Sequence, residues 1–175
     1  YGPDNAILTI SGDVTSEETL PIIQKYFGSI PRGAEVKKLG SMVPRLSSDI
    51  YTPGYTDNVY LPLTDIVFPT VPNYHKDEAP LDMLAALMGE GKKSIFYKNF
   101  IKSEKAIQAY VSHPCRELSG EFHFTVLTFP DWQEDQGIYF NNVEADIRNT
   151  IAEWEEKGFS DEDLEMVKTE MISQS

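Results

Sequence analysis

From residue 58 onward the sequence predicts an α+β domain, a two-layer α/β sandwich in which helices cover one face of a mainly antiparallel sheet. Three observations carry this expectation. The elements read β, α, α, β, β, α, α; the adjacent strands are joined by short, turn-rich stretches; and each helix carries its apolar residues on a single stripe, so it has one face to bury.

The elements follow in order. Tyr1 to Gly33 reads as one β-α unit: a Pro-Asp turn leads into a short apolar strand (Ala6, Ile7, Leu8, Ile10) that ends at Gly12-Asp13. Thr15 or Ser16 then caps an amphipathic helix that stops at Gly28. Residues 29–57 hold three prolines and three glycines without periodicity, which predicts a linker with one short extended piece near Asp49 to Thr52. The organisation is therefore 1–28, a β-α unit; 29–57, a linker; and 58–175, the main domain.

Val59 to Val67 alternates as a strand, and Pro62 makes it an edge or bulged one. Pro69 and Pro72 close it. Asp77 offers an N-cap to a helix with Leu81, Leu84, Ala85 and Met88 on one stripe, and Pro80 fits in its first turn. The Gly89-Glu90-Gly91 break ends that helix, and a second helical run from Ser94 to about Ser103 aligns Ile95, Phe96, Phe100 and Ile101. Strands Ala106 to Val111 and Glu121 to Phe129 follow; the second sets Phe122, Phe124 and Val126 against His123, Thr125 and Leu127. Val143, Ile147, Ile151 and Trp154 mark a helix ending at Gly158, and Ser160 with Asp163 opens a last helix through a capping box.

Composition narrows the function. Fifteen Lys and Arg against 28 Asp and Glu leave a net charge of −13, which disfavours nucleic acid and favours basic or neutral peptides as partners. Cys115 is the only cysteine, so neither an intrachain disulfide nor a thiolate metal cluster can form. The chain begins at Tyr1, and its last helical pattern still runs at Ser175, as in a piece of a longer protein.

Several motifs in register resemble the pitrilysin/insulinase family of zinc peptidases. The first is the strand ending Gly-Asp, followed by a helix ending Phe-Gly and the Pro31-Arg32 turn. The second is DNVYLPLTDIVFPTVP with HKDEAPLDMLAALMGEGKKSIFYKNF, similar to the start of a later lobe in bacterial zinc proteases; RELSGEF and KGFSDEDLEMVK extend the match. The resemblance implies a LuxS/processing-peptidase-like metallohydrolase fold. It makes residues 1–28 the terminal β-α unit of a preceding lobe and 58–175 a lobe cut off before its own closing unit. The orphaned unit is then expected to dock where the missing pair belongs, within the chain or swapped between two chains.

The departures bear on activity. Such enzymes hold zinc with an inverted His-x-x-Glu-His plus a downstream Glu. Here His75, His113 and His123 stand far apart and none lies in that motif, so no metal ligand and no catalytic residue is assigned. The family's paired Arg and Tyr, seven residues apart, hold the substrate. Tyr110 falls where the Tyr would stand and is the one candidate substrate contact, but Ser103 replaces the Arg, and Lys102 and Lys105 lack its guanidinium fork. As residues alone, Tyr110 reads as an ordinary strand side chain. Gly89 to Ser94, GEGKKS, lacks the upstream glycine of a phosphate loop and reads as a hinge. Cys115 beside Arg116 has no histidine base at a recognisable position in the sequence.

The resemblance thus implies a non-catalytic lobe of a pitrilysin-like zinc metalloendopeptidase, inactive alone. It would form part of a peptide-enclosing chamber whose zinc sits in another lobe. Its partners would be the lobe or subunit bearing the inverted zinc motif and an unfolded peptide, which could add to a sheet edge at the Val59 strand or at Ala106 to Val111. The alternatives are a structural subunit of a processing-peptidase-like assembly, with no hydrolytic role, and a stand-alone hydrolase using the three histidines. The sequence leaves the location open, and analogy with similar zinc proteases alone points to the bacterial periplasm or envelope.

Overall fold

The computed structural model describes residues 3–35, 37–54, 61–130 and 135–174. They fall into two compact units, Tyr1–Gly40 and Ser41–Ser175.

In the first unit a 3-10 turn at Pro3–Asn5 precedes α1, Ser16–Phe27. Thr15 caps α1, its Oγ1 accepting the Glu18 N–H at 3.4 Å, while Glu17, Glu18 and Lys25 suit the helix dipole. Gly12 takes φ +140, open to glycine and costly for other residues. The expected strand at Ala6 to Ile10 does not form. A strand needs a partner for its backbone groups, and those residues have none among the described residues. Nothing on α1 is buried.

In the second unit the order is β1 (Leu63–Thr70), α2 (Glu78–Gly89), a π-helical turn (Tyr97–Ile101), β2 (Ala106–Ser112), β3 (Gly120–Thr128), α3 (Gln136–Lys157) and α4 (Asp161–Gln174). The sheet is antiparallel throughout, in the order β1-β3-β2. The predicted order of elements holds. Both strands expected at an edge are edges of this sheet.

Two boundaries differ from expectation. β1 lies further along than the Val59 to Val67 run, whose first two residues fall outside the described ones, and it continues through Pro69. The Thr128 N–H donates to the Pro62 carbonyl at 3.0 Å, which turns the even-numbered β1 residues toward β3 and Pro69 toward the free edge. No ladder bond is lost there. The second difference is the run after Ser94, where Lys102 N–H to Tyr97 O (2.9 Å) and Lys105 N–H to Phe100 O (3.0 Å) span five residues. This wider turn aims both Phe96 and Phe100 into the core, their ring centroids 5.4 Å apart.

The core lies on one side of the sheet. Phe96, Phe100, Val126 and Ile147 are almost wholly buried, joined by Phe122, Phe124, Val111, Met88 and Val143. Phe122, Phe124 and Val126 are the inward set the alternation predicted. The Phe96 ring stacks on Phe124 at 5.5 Å, which locks the π-helical turn onto the central strand.

Candidate functional site

The face of the sheet opposite this core carries the odd-numbered residues of β1 and β3 and the even-numbered residues of β2. Strand register sets them in rows: Asp65, Thr125 and Tyr110 share one, and Val67, His123 and Ser112 share the next. Leu63, Val67 and Tyr110 are 52%, 39% and 45% exposed, so this face stands open where the other is packed by helices.

A polar network runs through it. Asp65 accepts from the Thr125 hydroxyl (2.8 Å) and meets His123 Nδ1 (2.8 Å), and His123 Nε2 lies 3.4 Å from Glu121. The two carboxylates fix the imidazole and leave the face acidic. Tyr110, the sequence-predicted contact, stands one row along on the edge strand, and its hydroxyl has no partner among the described residues.

Behind the sheet is a cluster the sequence did not reveal. His113, its side chain fully buried, has Nδ1 2.7 Å from Asp82 on α2 and Nε2 2.9 Å from Thr70 Oγ1 at the end of β1. Cys115 Sγ lies 3.6 Å from Nε2 and donates to the Val71 carbonyl at 3.2 Å. The carboxylate–imidazole–hydroxyl order is that of a hydrolytic triad, but the space is not. A Cβ on Gly120 would stand 2.7 Å from Thr70 Oγ1 and 2.9 Å from Cys115 Sγ, so the chain itself fills the approach a substrate carbonyl would need. Burial, then the Glu78 and Asp82 carboxylates, push the Cys115 thiol up, which opposes a nucleophilic role. The cluster ties α2 to two strands. Its partners lie 31 and 43 residues from His113, and no local pattern links them.

The remaining candidates are separated. His75 accepts the Asp77 N–H in a turn before α2. The three histidines thus sit in three different hydrogen-bonded settings, and among the described residues no group of His, Cys, Asp and Glu is placed to hold a metal. These residues do not fit the family's zinc site. Ser103, at the position of the family's Arg, returns its hydroxyl to the Asn99 carbonyl (2.5 Å), and Lys105 pairs with Asp146 at 2.8 Å. In GEGKKS, Ser94 donates to Gly91 O (2.9 Å) and accepts the Tyr97 N–H (3.2 Å), capping the turn.

The edge of β1 opens on a cleft of about 830 Å³, lined besides β1 by Ile50, Tyr51, Phe140 and Arg148. Arg148 is clasped by Glu144 (2.7 Å) and Asp49 (2.9 Å); the hydrogen bond to Glu144 first, then the Asp49 charge, raise its already high pKa, and Tyr51 donates to Glu144 at 3.2 Å.

Over residues 1–171 the sequence matches the family model described as peptidase M16 inactive domain. The zinc protease PqqE of Helicobacter pylori is 27% identical over 116 residues, 65% of this chain and 26% of that protein. A crystal structure of a protease from Helicobacter pylori superposes with a TM-score of 0.68 at 21% identity, covering 93% of this chain and 38% of the other. That of a peptidase M16 inactive domain from Pseudomonas fluorescens gives 0.64 at 14% identity, covering 94% and 38%. The chain spans about a quarter of the curated relative, and the two structures share its fold.

Proposed function

The chain belongs to the peptidase M16 inactive-domain family, and from that premise we propose that it is the non-catalytic lobe of a pitrilysin-like zinc metalloendopeptidase. It walls a chamber that encloses unfolded peptide, while zinc and catalytic residues lie in another lobe. The carrying observation is the sheet face opposite the core, with Leu63, Val67 and Tyr110 exposed around an acidic network. A wall that must accept many sequences suits such a face, because scattered apolar side chains and long-range charge recognise an unfolded chain without requiring one side chain from it. Basic and neutral peptides are its class. The partner is the lobe or subunit that bears the inverted zinc motif.

Residues 1–28 close the sheet of the preceding lobe on this reading, with 29–57 the linker and 58–175 the wall. The support is the bareness of that unit: Ile7, Leu8, Leu20, Ile22, Tyr26 and Phe27 are all more than half exposed.

A photo-crosslinking amino acid placed at Tyr110 tests the wall role against the same group at Glu155, an exposed position on α3. With an unstructured basic peptide, capture is expected at Tyr110 and not at Glu155. Equal or reversed capture would remove the chamber role and leave the structural-subunit reading.

A further inference from the structure

We propose that Met42 to Tyr51 is a strap buckled onto the second unit by Arg148, so that the pivot of the chain is the short stretch 31–41 and opening the buckle lengthens it.

Composition makes residues 29–57 one linker, but hydrogen bonding divides it. From Pro31 to Ser41 no described residue makes a hydrogen bond or an ion pair, and a Cβ on Gly40 would meet nothing within 4 Å. From Met42 onward the chain is held at three places. The Met42 N–H donates to the Leu118 carbonyl, in the turn between β2 and β3, at 2.8 Å. Asp49 accepts from Arg148 Nη2 at 2.9 Å, and the Tyr51 hydroxyl donates to Glu144 Oε1 at 3.2 Å. The division of the chain into two units falls at the same point, between Gly40 and Ser41.

Arg148 is the common member. Its Nε reaches Glu144 Oε1 at 2.7 Å, the oxygen that also accepts from Tyr51, so one guanidinium fork joins Asp49 of the strap to Glu144 of α3. Apolar burial does not replace this hold, because Ile50 and Tyr51 are 71% and 68% exposed. The side chains of Arg148 and Asp49 are themselves 46% and 68% exposed. Pairs so open to solvent are weak singly, and a closure made of several is reversible.

With residues 1–28 in a neighbouring lobe, the strap sets how much free chain that lobe swings on. This consequence rests on the function proposed above. The strap and its test do not, since neither a bound peptide nor a second lobe is needed.

Limited trypsin digestion of the full chain tests it, because Lys37 and Lys38 lie in the free stretch and Arg45 lies within the strap. Cleavage of a folded chain reads the population of the locally open form. The reference is a synthetic peptide of residues 33–50, in which all these bonds are free, with fragments followed by mass spectrometry. Against that peptide, the ratio of cleavage after Arg45 to cleavage after Lys37 or Lys38 is expected to fall at least about fivefold in the wild-type chain. Arg148→Ala should bring the ratio back to within about twofold of the peptide, and Arg148→Lys, which lacks the fork, should recover part of it. Circular dichroism checks that Arg148→Ala folds; if it does not, Asp49→Asn, which alters the strap alone, decides by raising the ratio at least about twofold. A wild-type Arg45 bond cut as readily as in the peptide overturns the proposal, and so does one that stays protected in the folded variant.

Discussion

His113 shows how much one residue's role depends on what folding brings to it. Both ring nitrogens are engaged, by Asp82 and Thr70, and the imidazole itself is fully buried. Replacing it by Ala leaves the Thr70 hydroxyl without its partner and a gap where the ring packed, while Asp82 keeps water, and a loss of about 1–3 kcal/mol in denaturant unfolding is expected. Gly120→Ala acts on the same cluster by overlap rather than loss. Its Cβ would meet the Val71 carbonyl at 2.4 Å, which backbone cannot easily yield, so a cost of about 1–3 kcal/mol is expected by the same measurement. Cys115 gives a chemical readout. With its thiol pKa raised by burial, native-state alkylation at mildly alkaline pH should run well below the rate of the urea-unfolded chain, as mass spectrometry would record.

Among the elements, the start of α4 and the end of α3 contribute to the pH dependence. Ser160 donates to Asp163 from its hydroxyl (2.6 Å) and its N–H (3.3 Å), and holds that carboxyl below its usual range. Hydrogen bonds from Lys157 and then Asn99 do the same for Glu153. A carboxyl with a lower pKa folded than unfolded contributes its stability in full above the unfolded value and loses it as pH falls through the folded one. Thermal unfolding from neutral pH down to about pH 3 should therefore show a decline in the carboxylate range, and Asp163→Asn with Glu153→Gln should lessen it. The π-helical turn makes a packing prediction. Phe96→Ala removes a ring in contact with Phe100 and Phe124, and a loss of about 3–5 kcal/mol is expected.

For the whole molecule, the division after Gly40 sets the expectation. Every residue of the core cluster belongs to Ser41–Ser175. A chain reduced to residues 41–175 should unfold in a single cooperative transition with a midpoint close to that of the full chain, since none of that cluster is removed. Calorimetry of the two chains checks this; a lost or broadened transition would count against it.

The sequence by itself determined the element order, the edge character of β1, the inward set Phe122, Phe124 and Val126, and the family. Each of these is written in neighbouring residues, through a period of two or of 3.6 and through caps and turns that act within one turn of chain. It could not supply what depends on distant pairing. The Ala6 to Ile10 strand was predicted from its composition and is absent because its backbone finds no partner. The phase of β1, which seats Pro69 in the strand and aims three N–H groups at a cleft, is decided by one bond from Thr128 to Pro62. So too Asp82, His113 and Thr70 meet only because α2 crosses behind the sheet. Contacts made over dozens of residues are fixed by how the layers pack, and local chemistry leaves them open.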